Sequence, residues 1–144
     1  MNKSYIATVS IFILLLFASA NANAEGVTIT VNNINPEKGG QVKIGIFDLK
    51  GFPVVDQEIV GVNLKADKKS VTHIFKNLPS GQYSISVFQD YNSNNQLDKN
   101  FFGAPTELYG FSTNQYGWFG PPNFQDVSFE VKENTPISLS INLE

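Results

Sequence analysis

One short stretch of the sequence carries oxygen-bearing side chains at alternate positions: Asp90, Asn92 and Asn94, followed by Asp98. This spacing is typical of calcium-binding loops that begin D-x-[DN]-x-[DN]. Calcium takes about six to eight oxygen ligands, and a tightly wound loop turns alternate side chains toward one centre. The backbone carbonyl of Gln96 stands at the seventh loop position, where such loops use a main-chain ligand. The pattern therefore predicts a structural Ca²⁺ site.

Two positions depart from the calcium pattern. The sixth loop residue is Asn95, which tolerates the left-handed conformation that glycine usually supplies there. The twelfth is Phe101 instead of a bidentate glutamate, so another acid would have to complete the site, and Glu107 is the next acid after Asp98. With two or three acids the expected dissociation constant is about 10⁻⁴–10⁻³ M. The alternative is a metal-free loop of Asx turns, which Asn and Asp form for purely local reasons.

Aromatic residues crowd positions 101–119. Exposed aromatic faces stack on sugars or hold small apolar molecules, so these residues could form a ligand surface. The alternative is a small core that clamps the segment to the domain, because a long excursion needs buried surface of its own to stay ordered. The candidates for ligand contact are Tyr109, Tyr116, Trp118 and Phe119.

Strands would have to position the calcium-type loop and the aromatic segment. Much of the remaining chain alternates between apolar and polar residues. Such alternation predicts half-buried strands, and Pro and Gly in the breaks predict turns. About seven short strands predict an all-β fold, an antiparallel β-sandwich of immunoglobulin-like type. Positions 90–123 do not alternate, so we expect one long ordered loop there, and one helical turn near Pro53–Asp56 is the only helix expected. The predicted strands cover 27–31, 42–47, 59–65, 70–76, 83–87, 127–131 and 137–143.

The N-terminus has the three parts of a secretory signal. Lys3 supplies a positive charge, positions 6–18 are apolar, and a small-x-small sequence ends at Ala24. The apolar run is short for a bilayer span, which needs about 20 residues. We therefore predict a signal peptide over 1–24 and a single β-sandwich domain over 25–144, exported to the periplasm in preference to secretion or the cell surface. The alternative is an uncleaved N-terminal anchor.

Composition excludes several classes of function. The chain has no cysteine, which excludes thiol catalysis, disulfides and zinc–thiolate sites. A net charge of −3 and the absence of arginine argue against nucleic acid as a partner. The single histidine, His73, lies in a predicted strand beside Ile74 and Phe75, as a structural or surface histidine would. Asp98 and Glu107 could form a glycosidase-type carboxylate pair, but they are better explained as metal ligands, so we predict no enzyme and no catalytic residue.

A longer motif extends beyond the calcium-type loop. The string D-x-N-x-N-x-x-L-D begins at Asp90, and G-x-P-x-E-x-x-G-F-S follows from Gly103. With these strings the chain resembles the DUF2141 family of exported bacterial proteins, although Gln89 stands where the family would have histidine. The resemblance implies a transthyretin-type or carboxypeptidase-regulatory-type sandwich and transfers no activity. The hairpin at 78–87 is similar to that of collagen-adhesin B-type domains, some of which bear calcium loops, so the calcium hypothesis gains support by analogy.

These observations predict a non-catalytic binding or structural module of the bacterial envelope, with a calcium-stabilised loop that fixes the aromatic segment. The alternative is a periplasmic carrier that holds a small apolar or glycan ligand on the aromatic surface. The expected partners are accordingly an envelope protein, a glycan or a small apolar ligand. Nucleic acid is not expected as a partner, and the chain is not expected to be an integral membrane protein.

Overall fold

Residues 26–144 are the part of the chain that the computed structural model describes, and the signal peptide predicted over 1–24 lies outside it. Within this part, alternating sequence gives eight strands and one short helix. Seven of the strands fall where alternation predicts them. The elements are β1 (Val27–Asn32), β2 (Gln41–Phe47), β3 (Val60–Lys65), β4 (Val71–Phe75), β5 (Gly81–Asp90), β6 (Tyr109–Phe111), α1 (Phe124–Val127), β7 (Phe129–Val131) and β8 (Ile137–Asn142).

The strands form two sheets around a shared core, which confirms the predicted sandwich. The smaller sheet has the order β4-β1-β8, and the larger has the order β3-β2-β5-β6, with β7 also paired to β5. All pairs are antiparallel except β1 with β8, which run parallel from Val27 opposite Ile137 to Asn32 opposite Asn142. The chain enters β8 from a strand of the other sheet, so no hairpin turn imposes an antiparallel direction.

The core lies between the two sheets. Strand β5 contacts this core with one face and the residues outside the larger sheet with the other. Alternate residues of β1 and β2 are buried, as expected for strands with one face on a core. In contrast, β5 is buried on both faces from Tyr83 to Asp90, except at Ser86. Loops therefore cover its outer face, and the candidate site lies there. The core includes Val27, Ile29, Val31, Val42, Ile44, Ile46, Ile85, Val87, Val131, Ile141 and Leu143.

The long segment between β5 and α1 is ordered by a short strand and by side-chain contacts. Its strand β6 pairs with β5, and alternation does not reveal it because only three residues take part. Further along, the Asn114 side chain pairs with the backbone of β8 as a neighbouring strand would. Its Nδ2 donates to the Ser140 carbonyl (2.9 Å), and its Oδ1 accepts from the Asn142 amide (2.8 Å). The segment thereby covers part of the outer edge of β8.

Two local predictions differ from the structure. The predicted strand 127–131 begins only at Phe129, because Val127 ends the helical turn α1. The helical turn expected near Pro53–Asp56 is replaced by two successive turns, closed by hydrogen bonds from Val54 N to Gly51 O and from Gln57 N to Val54 O. No helix within residues 26–144 is long and apolar enough to cross a membrane.

Candidate ligand groove and the 90–98 loop

The outer face of the larger sheet carries a row of residues with little or no side chain. The strand register places Gly61, Gly45 and Ser86 side by side on β3, β2 and β5, and Phe111 of β6 closes the row. Because the side chains of the adjacent row are larger, this row forms a trough that crosses the strands. The next row along the strands is bulkier and consists of Asn63, Lys43, Phe88 and Tyr109.

Neighbouring side chains lie directly over the two glycines of the trough. A β-carbon at Gly45 would come within 2.8 Å of the Phe47 ring and 3.3 Å of Glu58 Cβ, and one at Gly61 would come within 3.3 Å of Glu58 Cγ. Glu58 therefore lies along the trough, above both glycines. One oxygen of its carboxylate, Oε2, is buried and has no hydrogen-bond partner within residues 26–144.

Three loops rise around the trough and enlarge it to a groove with a volume of about 1090 Å³. The first wall is formed by residues 53–58 between β2 and β3, the second by residues 95–105, and the third by residues 117–121. Ligand pockets for drug-sized molecules usually measure about 300–1,000 Å³. The groove is therefore large enough for an extended ligand.

Aromatic side chains stand exposed on the rim of the groove. Trp118 is 95% exposed and Phe119 is fully exposed on the third wall, while Phe102 is 89% exposed on the second. Phe101 is exposed to the same degree but does not line the groove. Clustered apolar side chains that remain in water around one concave surface are typical of a binding site.

Other aromatic residues of the same segment pack into a small core. The rings of Tyr109, Phe111 and Tyr116 meet edge to face, with centroids 5.5–6.2 Å apart. Phe111 also contacts Phe52, which in turn contacts Phe124. The two interpretations of the aromatic segment therefore both hold in part: Tyr109 and Phe111 clamp the loop and also line the groove, whereas Trp118 and Phe119 stand exposed.

Tyr116 belongs to the clamp and not to the groove lining. Its hydroxyl donates a hydrogen bond to the Asn142 carbonyl (2.6 Å). Burial, the charge of Glu144 and the neighbouring Tyr109 raise the pKa of Tyr116 to about 12. The phenol therefore keeps its proton at physiological pH and holds the loop to β8. The other three residues predicted for ligand contact, Tyr109, Trp118 and Phe119, all line the groove.

The first half of the 90–98 loop is wound around the carboxylate of Asp90. This side chain is fully buried at the end of β5. Its Oδ1 accepts from the Asn94 amide (3.1 Å), and its Oδ2 accepts from the Asn95 amide (2.8 Å). Asn95 has a φ of 66°, so asparagine takes the left-handed conformation that the sequence predicts at the sixth loop position.

The second half of the loop converges on Asp98. Asn92 Nδ2 donates to Asp98 Oδ2 (2.7 Å), and Asn94 Nδ2 donates to Asp98 Oδ1 (2.9 Å). The side-chain oxygens of the two asparagines accept from the loop backbone, at the amides of Asn94 (3.0 Å) and Gln96 (2.8 Å). The structure thus gathers the predicted ligand residues, with Gln96 contributing its backbone N–H to the network.

Glu107 ties the two ends of the loop together from a distant point in the sequence. The residue is buried. Its Oε1 accepts from the Tyr91 amide (2.7 Å), and its Oε2 accepts from the Asp98 amide (3.0 Å). The acid that the sequence nominates as the last calcium ligand therefore lies at the loop, where it binds backbone N–H groups.

The carboxylates of the loop have hydrogen-bond partners within the protein, which bears on the calcium hypothesis. In the part of the chain that the structure describes, no three acidic, histidine or cysteine side chains are grouped so as to hold a metal ion. The amide N–H groups of Asn92 and Asn94 face Asp98. To bind calcium together with Asp98, the Asn92 and Asn94 side chains would have to turn so that Oδ1, and not Nδ2, faces Asp98. The calcium site stays a prediction.

The 90–98 loop also builds part of the groove. Lys43, on strand β2, donates from Nζ to Asn95 Oδ1. Leu97, Asn95 and Lys43 all line the groove. The hydrogen-bond network that shapes the loop therefore also fixes the position of one wall.

Sequence reasoning missed the floor of the groove. Gly45 and Gly61 fall on the outward-facing positions of two strands, and glycine inside a strand often marks the close approach of another group. That signal was present in the sequence, whereas Glu58 lies in a loop and carried none. His73 lies in β4 of the other sheet, with its ring centroid 4.6 Å from that of Phe75, and does not line the groove.

Fold and site together define an all-β sandwich with an aromatic-rimmed groove on the outer face of one sheet. The chain belongs to the DUF2141 family, described as an uncharacterized protein conserved in bacteria, and matches it over residues 29–138. The match runs from β1 into β8 and so includes the groove and the 90–98 loop. The family resemblance carried by the sequence motifs is confirmed. Neither a curated protein nor a solved structure was found to match the chain.

Proposed function

We propose that this protein is a non-catalytic binding module of the bacterial envelope, exported to the periplasm, whose ligand lies in the groove. The observation that carries the proposal is an open groove of about 1090 Å³ on the outer face of the larger sheet, with three exposed aromatic residues on its walls. The signal-peptide pattern at the N-terminus and membership of a bacterial family support a place in the envelope.

Binding at this surface would be favourable because the aromatic side chains are exposed while their loops are already ordered. Covering a large apolar side chain contributes roughly 1.5–3 kcal/mol. The aromatic clamp around Tyr116 lies in the same segment as the third wall, and the 90–98 network holds part of the second. A ligand would therefore lose little free energy to the ordering of the protein.

A non-catalytic role is supported by the chemistry of the groove lining. The charged residues among the described lining side chains are Lys43, Asp56, Glu58 and Lys99, and neither histidine nor cysteine lines the groove. Catalysis of acyl or phosphoryl transfer usually needs a nucleophile paired with a base and a group that stabilises developing charge. The described lining therefore offers no His- or Cys-based machinery for acyl transfer, which favours recognition as its role.

Adding a side chain at Gly45 should abolish ligand binding, because it must push the Phe47 ring and Glu58 outward into the groove. Gly45→Val places a branched side chain against Phe47 and Glu58, on a strand where valine has a high propensity. Amide chemical shifts would be recorded by NMR with three probes: a neutral glucan hexasaccharide, lauric acid and an acetylated hexapeptide. We expect at least one probe to shift Gly61, Ser86 and the Trp118 indole in the wild type and none to do so in the variant.

Ser138→Val is the matched control, because it adds a similar side chain to an exposed position on the smaller sheet. Circular dichroism verifies the fold of each variant, and Gly61→Val fills the same trough from the adjacent strand if Gly45→Val does not fold. The proposal is wrong if none of the three probes shifts the groove residues, or if the shifts persist in both trough variants.

We further propose that Ca²⁺ binds the 90–98 loop and stabilises the second wall of the groove. One observation favours this: the Asn92 and Asn94 side chains lie at the Asp98 carboxylate, so that a half-turn of each amide would bring its oxygen there. Calcium added to EDTA-treated protein should raise the melting temperature, whereas magnesium should not. With a dissociation constant of about 1 mM, 10 mM calcium would contribute roughly 1.4 kcal/mol.

The effect of calcium should disappear in Asp98→Ala and persist in Asp67→Ala, which removes an exposed acid outside the loop. The melts would be followed by far-ultraviolet circular dichroism for all three proteins. An equal rise in Asp98→Ala and the wild type would place the calcium elsewhere. No rise in the wild type would mean that the loop is a metal-free set of Asx turns.

A further inference from the structure

We propose that the ligand of the groove is a neutral polysaccharide chain, with sugar rings stacked on Trp118 and Phe119 and sugar hydroxyls bound by Glu58. This inference rests on the proposed function, because it names the ligand class of the same groove. It follows from the aromatic rim, the polar floor and the balance of charge.

The rim presents separate aromatic faces and not an enclosed cage. Trp118 and Phe119 are almost completely exposed, so no other side chain of residues 26–144 covers their faces. Recognition of a cation would require aromatic faces that converge on one point. Isolated, exposed faces instead suit a flat ligand with C–H groups, such as a sugar ring, which can stack on each face in turn.

The floor supplies polar partners of the kind that sugar hydroxyls need. A carboxylate is an acceptor only, and Glu58 Oε2 is buried without a donor in the described chain. A hydroxyl group of a ligand would provide that donor once the Glu58 side chain turns to present Oε2 to the groove that it lines. Ser86 and Asn63 lie on the two strands that flank β2, and each can both donate and accept. An acyl chain would instead cover these polar groups without hydrogen-bonding to them, which is unfavourable.

The charges around the groove favour an uncharged ligand. Two lysines, Lys43 and Lys99, and two acids, Asp56 and Glu58, line it. An anionic chain would face both carboxylates, and a cationic chain would face both lysines. Since the lining has no excess of either sign, the chemistry that fits is polar and neutral.

The dimensions of the groove favour a chain over a single sugar. Neighbouring strands are about 4.8 Å apart, so the row from Gly61 to Ser86 spans roughly 10 Å before it reaches Phe111. The volume of about 1090 Å³ lies above the upper end of the usual range for drug-sized ligands. Several linked rings would therefore fill the groove.

The single tryptophan of the protein allows a direct test. Because Trp118 is exposed, its emission should lie at long wavelength and move to shorter wavelength when a sugar ring stacks on it. Neutral hexasaccharides of the α-glucan, β-glucan and chitin types would be titrated into the full chain, with an anionic polyuronate hexasaccharide as the contrast. We expect at least one neutral saccharide to shift the emission and the polyuronate to leave it unchanged.

Calorimetry on variants then locates the saccharide. Glu58→Gln should weaken binding about tenfold, as expected for the loss of a charge-assisted hydrogen bond, and Trp118→Ala should weaken it by at least as much. Phe102→Ala and Phe101→Ala form a matched pair, since both residues are exposed but only Phe102 lines the groove. We expect a several-fold loss for Phe102→Ala and none for Phe101→Ala.

The outcomes separate this inference from the function on which it rests. Binding of lauric acid or the hexapeptide that is lost in Gly45→Val, with no saccharide binding, would overturn the polysaccharide while leaving a ligand groove. Saccharide binding that is unchanged in Glu58→Gln and Trp118→Ala would also overturn it, because the sugar would then lie outside the groove. If none of the probes binds, the inference and the proposed function both fail.

Discussion

Replacing Glu107 with alanine should lower the free energy of unfolding by about 4 kcal/mol. The buried carboxylate accepts from the amides of Tyr91 and Asp98 at 2.7 Å and 3.0 Å. Hydrogen bonds to charged groups contribute roughly 1.5–3 kcal/mol each, and alanine would leave both N–H groups without a partner. Urea denaturation followed by circular dichroism would measure the loss.

Two further variants test whether the loss of stability comes from the hydrogen bonds of the Glu107 carboxylate. Glu107→Gln keeps one acceptor oxygen and should lose about half as much stability. Glu133→Ala removes an exposed glutamate and should change stability by no more than about 0.5 kcal/mol. Hydrogen exchange at Tyr91 and Asp98 should accelerate in Glu107→Ala. Unchanged exchange at these two amides would show that the carboxylate does not hold the loop ends together.

Replacing Gln89 with leucine should lower the free energy of unfolding by about 3 kcal/mol. Gln89 is fully buried in β5. Its Nε2 donates to the carbonyls of Asn35 (2.7 Å) and Gly39 (2.8 Å), and its Oε1 accepts from the Asn35 amide (2.9 Å). Leucine has a similar size but leaves the Asn35 amide and the Gly39 carbonyl unpaired, at about 1–3 kcal/mol each, while the Asn35 carbonyl keeps the Lys38 amide as a donor (3.3 Å). The apolar contacts of leucine offset part of this cost.

Gln82→Leu is the matched control for Gln89→Leu, because Gln82 is an exposed glutamine on the same strand. Its stability should stay within about 0.5 kcal/mol of the wild type. Chemical denaturation of both variants makes the comparison. A loss below about 1 kcal/mol for Gln89→Leu would mean that the amide is not what fastens the β1–β2 loop to the core.

Short-range alternation accounts for most of the fold that could be predicted. It locates seven strands because strands such as β1 and β2 bury every second side chain against one core, although β5 is buried on both faces. It does not reveal β6, since three residues at Tyr109–Phe111 carry too little pattern. It also places a strand start at Val127, whose apolar side chain is buried equally well at the end of a helical turn. The parallel pairing of β1 with β8 depends on distant segments and leaves no local mark.

The site was predictable to the extent that its residues are close in sequence. The 90–98 loop was recognisable because Asp90, Asn92, Asn94 and Asp98 lie within nine positions. Glu107 was identified as the next acid in the sequence, but its hydrogen bonds to backbone amides were not predicted. A carboxylate that binds a metal and one that accepts from backbone amides have the same sequence signature. The trough could not be predicted, because it exists only once the register aligns residues from three strands.

The parallel pairing of β1 and β8 has a consequence for the order in which the protein can fold. Val27 pairs with Ile137, so the first strand meets one neighbour only when nearly the whole chain is present. Its other neighbour, β4, is also remote in sequence. Contacts between distant residues form slowly, because a long loop must close before they are made. Because β1 pairs with β4 over a separation similar to that of β2 and β5, both sheets can begin to assemble before β8 is added, and the edge of β1 that faces β8 would remain unpaired and aggregation-prone until that last step.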